Sequence, residues 1–248
     1  IMTSNKTVFF IIGTLLIILG FFMLIPYGVQ IFYKENSHSF LSSSFITILI
    51  GTMFVLANLQ EKYQLNLKQT FLFSTFTWIA VALFGSIPFV LSGLDFSFSD
   101  SFFESMSGIT TTGSTVITDL DGSPKSILLW RAIMQWLGGV GIIVMAITVL
   151  PLLKVGGMQL FKIESSDKPE KILPRASQVA FIIISTYLIL TLFCAFFYKI
   201  LGMDIFDSIA HAMTTIATGG FSTHNGSIGY FKKPSIEVVA TIFIILGS

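Results

Sequence analysis

Five long stretches of this chain carry no Asp, Glu, Lys or Arg: Thr7 to Tyr33, His38 to Gln60, Gln69 to Leu94, Ala132 to Leu153 and Ala176 to Tyr198. A helix needs about 20 predominantly apolar residues to cross a hydrocarbon core, so each stretch predicts one full span. A sixth apolar run begins near Val238 and reaches Ser248 after far fewer residues than a span needs, so the sequence is expected to be a fragment of a longer protein. The first run exceeds the apolar core of a signal peptide and shows no small-residue cleavage site, which predicts a retained helix. Between the third and fourth spans, Ser101 to Thr118 is apolar and Thr-rich, with Glu104 as its only charge. With the N-terminus inside, this segment starts and ends outside and is too short to cross twice. A segment that dips into the membrane and returns is the economical reading. Such backbone is tolerated only where protein buries it or it lines a watery cavity.

The dipping segment has an echo. Gly93-Leu94-Asp95, Asp100-Ser101-Phe102 and Thr112-Gly113 recur as Gly202-Met203-Asp204, Asp207-Ser208-Ile209 and Thr218-Gly219, with Gly113 and Gly219 106 residues apart. Each copy reads as an outward helix, a short descending helix, an extended loop and a returning helix. A period this long predicts a pseudo-symmetric pore rather than a solenoid. The fold class is all-α integral membrane, with two N-terminal helices followed by helix–pore loop–helix repeats. The expected units are residues 1–60 (two leading helices), 61–153 (first repeat), 154–175 (cytoplasmic loop) and 176–248 (second repeat, incomplete in its last helix). Asp100 and Asp207 stand where an N-cap carboxylate accepts from free backbone N–H groups. The helix C-termini then face the loops, and their partial negative charge favours a cation there. The Thr- and Gly-rich loops leave room for backbone carbonyls to replace a cation's water shell. Gly113 and Gly219 are expected to supply the positive-φ turns that aim those carbonyls. The bland alternative, two external turns that happen to contain Thr and Gly, loses weight because the pattern recurs in two matching units.

Composition agrees with a membrane solvent: 53% of residues are hydrophobic and 11% charged, too little polar surface to coat a soluble globule. Net charge of +1 conceals an asymmetry. With the N-terminus inside, the inner segments hold eight basic against four acidic residues and the outer ones six against nine. That is the distribution of a chain whose cytoplasmic loops retain Lys and Arg. An acidic outer face concentrates cations near an entrance within about 8 Å, the Debye length at physiological salt. Cys194, the single cysteine, lies within an apolar span and reads as a small buried side chain.

Motifs around both loops resemble the membrane subunit of the Trk potassium-uptake system, within the Trk/Ktr/HKT superfamily. They are Phe103-Glu104-Ser105-Met106-Ser107-Gly108 running into Thr110-Thr111-Thr112-Gly113, then Leu129-Trp130-Arg131, Gln135-Trp136-Leu137-Gly138-Gly139-Val140-Gly141, Val155-Gly156-Gly157-Met158-Gln159-Leu160 and Ala217-Thr218-Gly219-Gly220-Phe221-Ser222-Thr223. The resemblance covers nearly the whole chain and favours the Trk branch over the Ktr branch. It implies four helix–pore–helix units around one path with pseudo-fourfold symmetry, of which fewer than two are present here. Carried over by position, it implies ion coordination by carbonyls of Thr110, Thr111, Thr112 and Gly113, and of Ile216, Ala217, Thr218 and Gly219. It further implies potassium as the transported ion with no bound cofactor, a bacterial cytoplasmic membrane, homodimers of complete chains, and a cytosolic nucleotide-binding regulatory ring of the TrkA type. The basic loop from Lys154 to Arg175 is a candidate docking surface for that ring, although positive-inside topology explains its charge equally well. With one well-placed glycine in the first loop, the filter departs from the Thr-Val-Gly-Tyr-Gly pattern of potassium channels. A potassium/sodium symporter or a poorly selective monovalent cation channel therefore stays open. Two of four walls imply that this fragment alone does not transport ions.

Other residues have blander readings. Gly138, Gly139 and Gly141 are expected to permit close helix contact rather than to form a hinge. Arg131 is expected to pair with Glu104 or Asp119 while snorkelling outward. His211 and His224 lack nearby ligands at metal spacing and read as polar helix and loop residues. Asn225-Gly226-Ser227 matches a glycosylation sequon, which has little force in a bacterial protein. A membrane enzyme would need a constellation of nucleophile, base or metal ligands. A proton-coupled carrier would need ionisable groups at mid-membrane. Apart from His211 and Glu104 in the pore helices, the spans offer little of either kind.

Overall fold

A computed structural model of the chain describes residues 5–35, 37–60, 67–153 and 172–248, and among these no strand occurs. The elements are α1 (Lys6–Phe22), α2 (Leu24–Tyr33), α3 (Ser39–Ala57), α4 (Leu67–Gly85), α5 (Ile87–Val90), α6 (Phe98–Ile109), α7 (Lys125–Leu153), α8 (Ile172–Ile200), α9 (Ile205–Ile216), a 3-10 turn (Ser227–Phe231) and α10 (Pro234–Gly247). Four helical stretches are long and apolar enough to cross a membrane: Lys6–Tyr33, Ser39–Ala57, Lys68–Val90 and Gln178–Ile200. Helix α7, expected as a further crossing, runs for 29 residues. The Val155 to Leu160 motif and most of the Lys154 to Arg175 loop lie outside the described residues; only 172–175 are described, as the first turn of α8.

Two of the apolar runs are broken by proline. Helix α1 gives way to α2 at Met23, three residues before Pro26, because the proline ring lacks an N–H and clashes with the carbonyl four residues back. The same cause separates α4 from α5 ahead of Pro88. Helices α1 and α3 touch along small residues. A Cβ on Gly13 would lie 2.7 Å from the Gly51 carbonyl, and one on Gly51 would lie 2.8 Å from the Gly13 carbonyl. Ser44 Oγ donates to the Gly20 carbonyl at 2.8 Å. In lipid, where apolar burial between helices gains little, this close backbone approach with an interhelical hydrogen bond is what holds a pair together. Phe181, Ile182, Leu192 and Phe196 on α8 stay exposed, as lipid-facing side chains do.

Helices α4 to α7 and α8 to α10 are the segments expected from the sequence as the first and second repeats. Each of the short helices α6 and α9 has 12 residues, about 18 Å at 1.5 Å per residue, roughly half of a 30 Å hydrocarbon core. Such a helix can enter a membrane but cannot cross it. Trp130 on α7 donates from Nε1 to the Gly85 carbonyl at 2.9 Å, fixing α7 against the end of α4. Ser126, in the first turn of α7, donates to Glu35 from both its N–H and its hydroxyl, which ties this helix to the C-terminal end of α2.

Candidate functional site

Helix α6 is capped by Ser97, whose Oγ accepts from the Asp100 N–H at 3.1 Å while Asp100 Oδ2 accepts from the Ser97 N–H at 3.1 Å. Helix α9 is capped by Asp204, which accepts from the Asp207 N–H at 2.6 Å. The expected N-caps, Asp100 and Asp207, are therefore third-position residues one turn further in. The sequence pattern misleads because a capping box needs a polar residue at both positions, and either can be mistaken for the cap.

At their far ends the two helices stop in the same way. Thr112 donates from its N–H to the Ser107 carbonyl at 3.0 Å and Thr111 to that of Gly108 at 2.9 Å; Gly219 and Thr218 donate likewise to Thr214 at 2.9 Å and Thr215 at 3.0 Å. This is a Schellman ending, whose left-handed residue is usually glycine. Here it is threonine, with φ +56° at Thr111 and +51° at Thr218. Two residues on, Gly113 has φ +81° and Gly220 φ +82°. Helix ends, caps and turns thus repeat at an interval of 107 residues, one more than the glycine-to-glycine spacing suggests. Thr110 to Gly113 correspond to Ala217 to Gly220, and Ile216 to Ile109. The positive φ expected at Gly219 falls on Gly220.

Ile109 and Ile216, the last residues of the short helices, each lie under a glycine of the following helix. A Cβ on Gly138 would overlap the Ile109 carbonyl, and one on Gly247 would lie 2.6 Å from the Ile216 carbonyl. Gly139 would meet Tyr187 Oη at 2.5 Å, so Gly138 and Gly139 serve close packing, while Gly141 faces open space. The two loops touch: a Cβ on Gly113 would overlap the Gly219 carbonyl. That carbonyl accepts from Gln135 Nε2 at 2.9 Å, and Gln135 Oε1 accepts from the Phe221 N–H at 3.1 Å. Gln135 is fully buried and belongs to α7, so the first repeat grips the second repeat's loop.

One turn earlier on α7, Arg131 Nε donates to Glu104 Oε1 at 2.6 Å, with both side chains at most 1% exposed. Arg131 does not snorkel. Its Nη1 donates to the Ser222 carbonyl at 2.9 Å and its guanidinium lies 4.0 Å over the Phe221 ring. Glu104 accepts in addition from Thr115 Oγ1 at 2.8 Å and the Val116 N–H at 3.0 Å. A single buried ion pair thus holds the segments that follow both loops. Of the expected partners, Glu104 is the actual one; Asp119 instead accepts from the Gly122 N–H within its own turn.

Further out, His224 Nδ1 lies 2.5 Å from Asp121 Oδ1 and Nε2 lies 3.1 Å from Asp207 Oδ2. Its ring stacks on Tyr230 with centroids 3.6 Å apart. Asp207 also accepts from Thr223 Oγ1 at 2.7 Å, and His211 Nε2 sits 2.9 Å from Ser222 Oγ. Asn225, the sequon residue, donates from its N–H to Asp121 Oδ2 and accepts from the Leu120 N–H at 2.9 Å. The hydrogen bond from His224, then that from the Asn225 N–H, hold the Asp121 carboxyl below its ordinary value. The sequence pattern pointed to no role for Gln135, to no left-handed conformation at Thr111 and Thr218, and to no bridge through His224. The only available signal was the recurrence of Thr just past each short helix, where glycine is usual.

The cation transport protein family TrkH matches residues 36–248. The chain is 40% identical over 241 residues to the Trk system potassium uptake protein TrkH of Escherichia coli K12, covering 96% of this chain and 50% of that protein. It is 37% identical over 230 residues to the Trk system potassium uptake protein TrkG of the same organism, covering 91% of this chain and 47% of that one. The crystal structure of the potassium transporter TrkH from Vibrio parahaemolyticus superposes with a TM-score of 0.88 at 36% identity, covering 98% of this chain and 50% of that chain. The chain thus spans about half the length of these relatives. With its membrane-length helices and paired half-depth helices, this multi-pass membrane protein belongs to the TrkH family of cation transport proteins.

Proposed function

We propose that this chain supplies two walls of a potassium-uptake path in a bacterial cytoplasmic membrane, with its N-terminus inside. The observation that carries the reading is the pair of half-depth helices ending in identical left-handed turns, with the two loops in contact between Gly113 and Gly219. Backbone carbonyls of Thr110 to Gly113 and of the Ala217 to Gly220 turn, except that of Gly219, which Gln135 holds, replace the water shell of a monovalent cation, aided by the negative ends of α6 and α9. The second set is shifted by one residue from Ile216 to Gly219. Helical register and the position of the Ile216 carbonyl under Gly247 support the shift. Side chains of Ala217 and Gly220 offer no ligand, which favours a monovalent ion over a carboxylate-bound divalent one.

By likeness to the relatives, which are named as potassium uptake proteins, potassium is the transported ion. The resemblance carried by the sequence motifs adds that no bound cofactor is needed and that the complete chain works as a homodimer beside a nucleotide-binding regulatory ring of the TrkA type. The deciding experiment is cation flux through the full-length protein in liposomes. Potassium uptake that excludes large organic cations is the expected result. Equal permeability to both, or none, overturns the proposal. Equal potassium and sodium flux would make the pathway a poorly selective monovalent channel.

A further inference from the structure

We infer that Gln135 is a positioning residue that sets ion selectivity from the neighbouring repeat. It fixes the second loop's carbonyls without contacting the ion. This inference rests on the carbonyl-lined path proposed above. Three observations support it. First, both ends of the Gln135 amide are used, Nε2 on the Gly219 carbonyl at 2.9 Å and Oε1 on the Phe221 N–H at 3.1 Å. The two bonds bracket Gly220, the left-handed glycine of that loop at φ +82°. A primary amide carries a donor and an acceptor side by side, which lets it bond both fixed backbone atoms at once. Second, the fit is tight on every side. A Cβ on Gly219 would meet Gln135 atoms, and one on Gly113 would overlap the Gly219 carbonyl and lie 3.5 Å from Gln135 Nε2. Third, Gln135 is fully buried, so no water can replace either bond.

The consequence concerns which carbonyls an ion meets. With its carbonyl engaged by Gln135, Gly219 is turned toward α7 and the first loop, and Ala217, Thr218 and Gly220 carry the second wall's coordination. Removing the amide frees the Gly219 carbonyl to compete for the ion and lets the Gly220 turn relax. The distances that distinguish potassium from sodium then widen in range.

The test compares Gln135→Leu, which removes both bonds, with Gln135→Glu assayed at a pH high enough to ionise the new carboxyl, where it keeps the acceptor for Phe221 but has no proton to donate to Gly219. Both are assayed in the full-length protein for the potassium-to-sodium permeability ratio in liposomes at equal amounts of folded protein, beside Gly113→Ala. The expected result is a fall in the ratio of about thirtyfold for the Leu variant and about fivefold for the Glu variant, the changes that two and one ordinary hydrogen bonds correspond to, with potassium flux retained. Wild-type ratios in both Gln135 variants while Gly113→Ala alters selectivity overturn this inference and leave the carbonyl-lined path standing. Unchanged ratios in all three overturn the path itself. If the Leu variant does not fold, the Glu variant decides alone; if neither folds, Gln135 is a folding element and the inference is overturned.

Discussion

Replacing one member of the Glu104–Arg131 pair exposes how the repeats are held together. Both side chains are at most 1% exposed. In Arg131→Met, Glu104 keeps its bonds from Thr115 and Val116 but loses its counter-ion, and the Ser222 carbonyl loses its donor. In Glu104→Gln, the amide nitrogen must face either the Val116 N–H or the Arg131 and Thr115 side, so at least one donor is left facing a donor. Removing one partner of a buried pair costs about 3–5 kcal/mol, because the survivor is an uncompensated charge. Replacing both can be far less damaging. Each single variant should therefore lose about 3–5 kcal/mol, and the double variant should recover at least about 2 kcal/mol relative to the sum of the singles. The assay is denaturant unfolding of the full-length protein in mixed micelles, read as a double-mutant cycle. Single variants within about 1 kcal/mol of wild type, or strictly additive losses, would refute a buried, coupled pair.

Gly113→Ala should abolish or disorder cation selection, since a Cβ at φ +81° is strained and overlaps the Gly219 carbonyl; wild-type flux and selectivity in liposomes would count against the assigned turn. Gly138→Ala should destabilise by several kcal/mol through overlap with the Ile109 carbonyl, whereas Gly141→Ala, with nothing within 4 Å, should be neutral or gain up to about 1 kcal/mol from helix propensity. Thermal unfolding in detergent separates the two. Thr111→Gly relieves a left-handed threonine, worth about 1–2 kcal/mol, against about 0.5–1 kcal/mol of added unfolded-state entropy. Stability should rise slightly while ion discrimination falls, and a clear stability loss would show that the threonine conformation is not strained. Because the Asp121 carboxyl lies below its ordinary value in the folded chain, its contribution is complete above the unfolded carboxylate range and is lost as pH falls through its folded value. Protection of the Asn225 amide, taken relative to its intrinsic exchange rate at each pH, should fall on such acidification, and Asp121→Asn should remove that step.

The all-helical fold and its long apolar helices were legible because hydropathy depends on average composition over tens of residues. Register was harder. Gly113 and Gly219 look equivalent as letters, but the backbone matches Gly113 with Gly220, since the Schellman ending fixes which residue turns left-handed and a threonine holds that place in both copies. The caps were misplaced by one turn for a related reason: Ser97 and Asp204 are different residue types performing one task. The choice between Glu104 and Asp119 as the partner of Arg131 depended on where the α6 face meets α7, which no local pattern encodes. Gln135 was invisible because its partners are backbone atoms more than eighty positions away.

These cross-repeat contacts share a direction. Arg131 and Gln135 lie four residues apart on one face of α7, and both reach from the first repeat into the Gly219 to Ser222 segment of the second. Gly138 and Gly247, each against the last carbonyl of its own short helix, give the matching register of α7 and α10. Counted back from Gly247, the counterparts of Arg131 and Gln135 are Ala240 and Ile244. Neither can donate a hydrogen bond, so α10 cannot hold a further loop by the means α7 uses. The pseudo-symmetry of the backbone is therefore broken in its fastening. The second loop is pinned by a guanidinium and an amide from a neighbouring repeat, while the loop of the first repeat is held within its own unit through Glu104 and through Ser107, whose hydroxyl donates to the Ser114 carbonyl at 2.5 Å. Perturbing α7 should thus disturb the second wall first. Selectivity changes in Gln135 variants should appear with the Thr110 to Gly113 turn still intact.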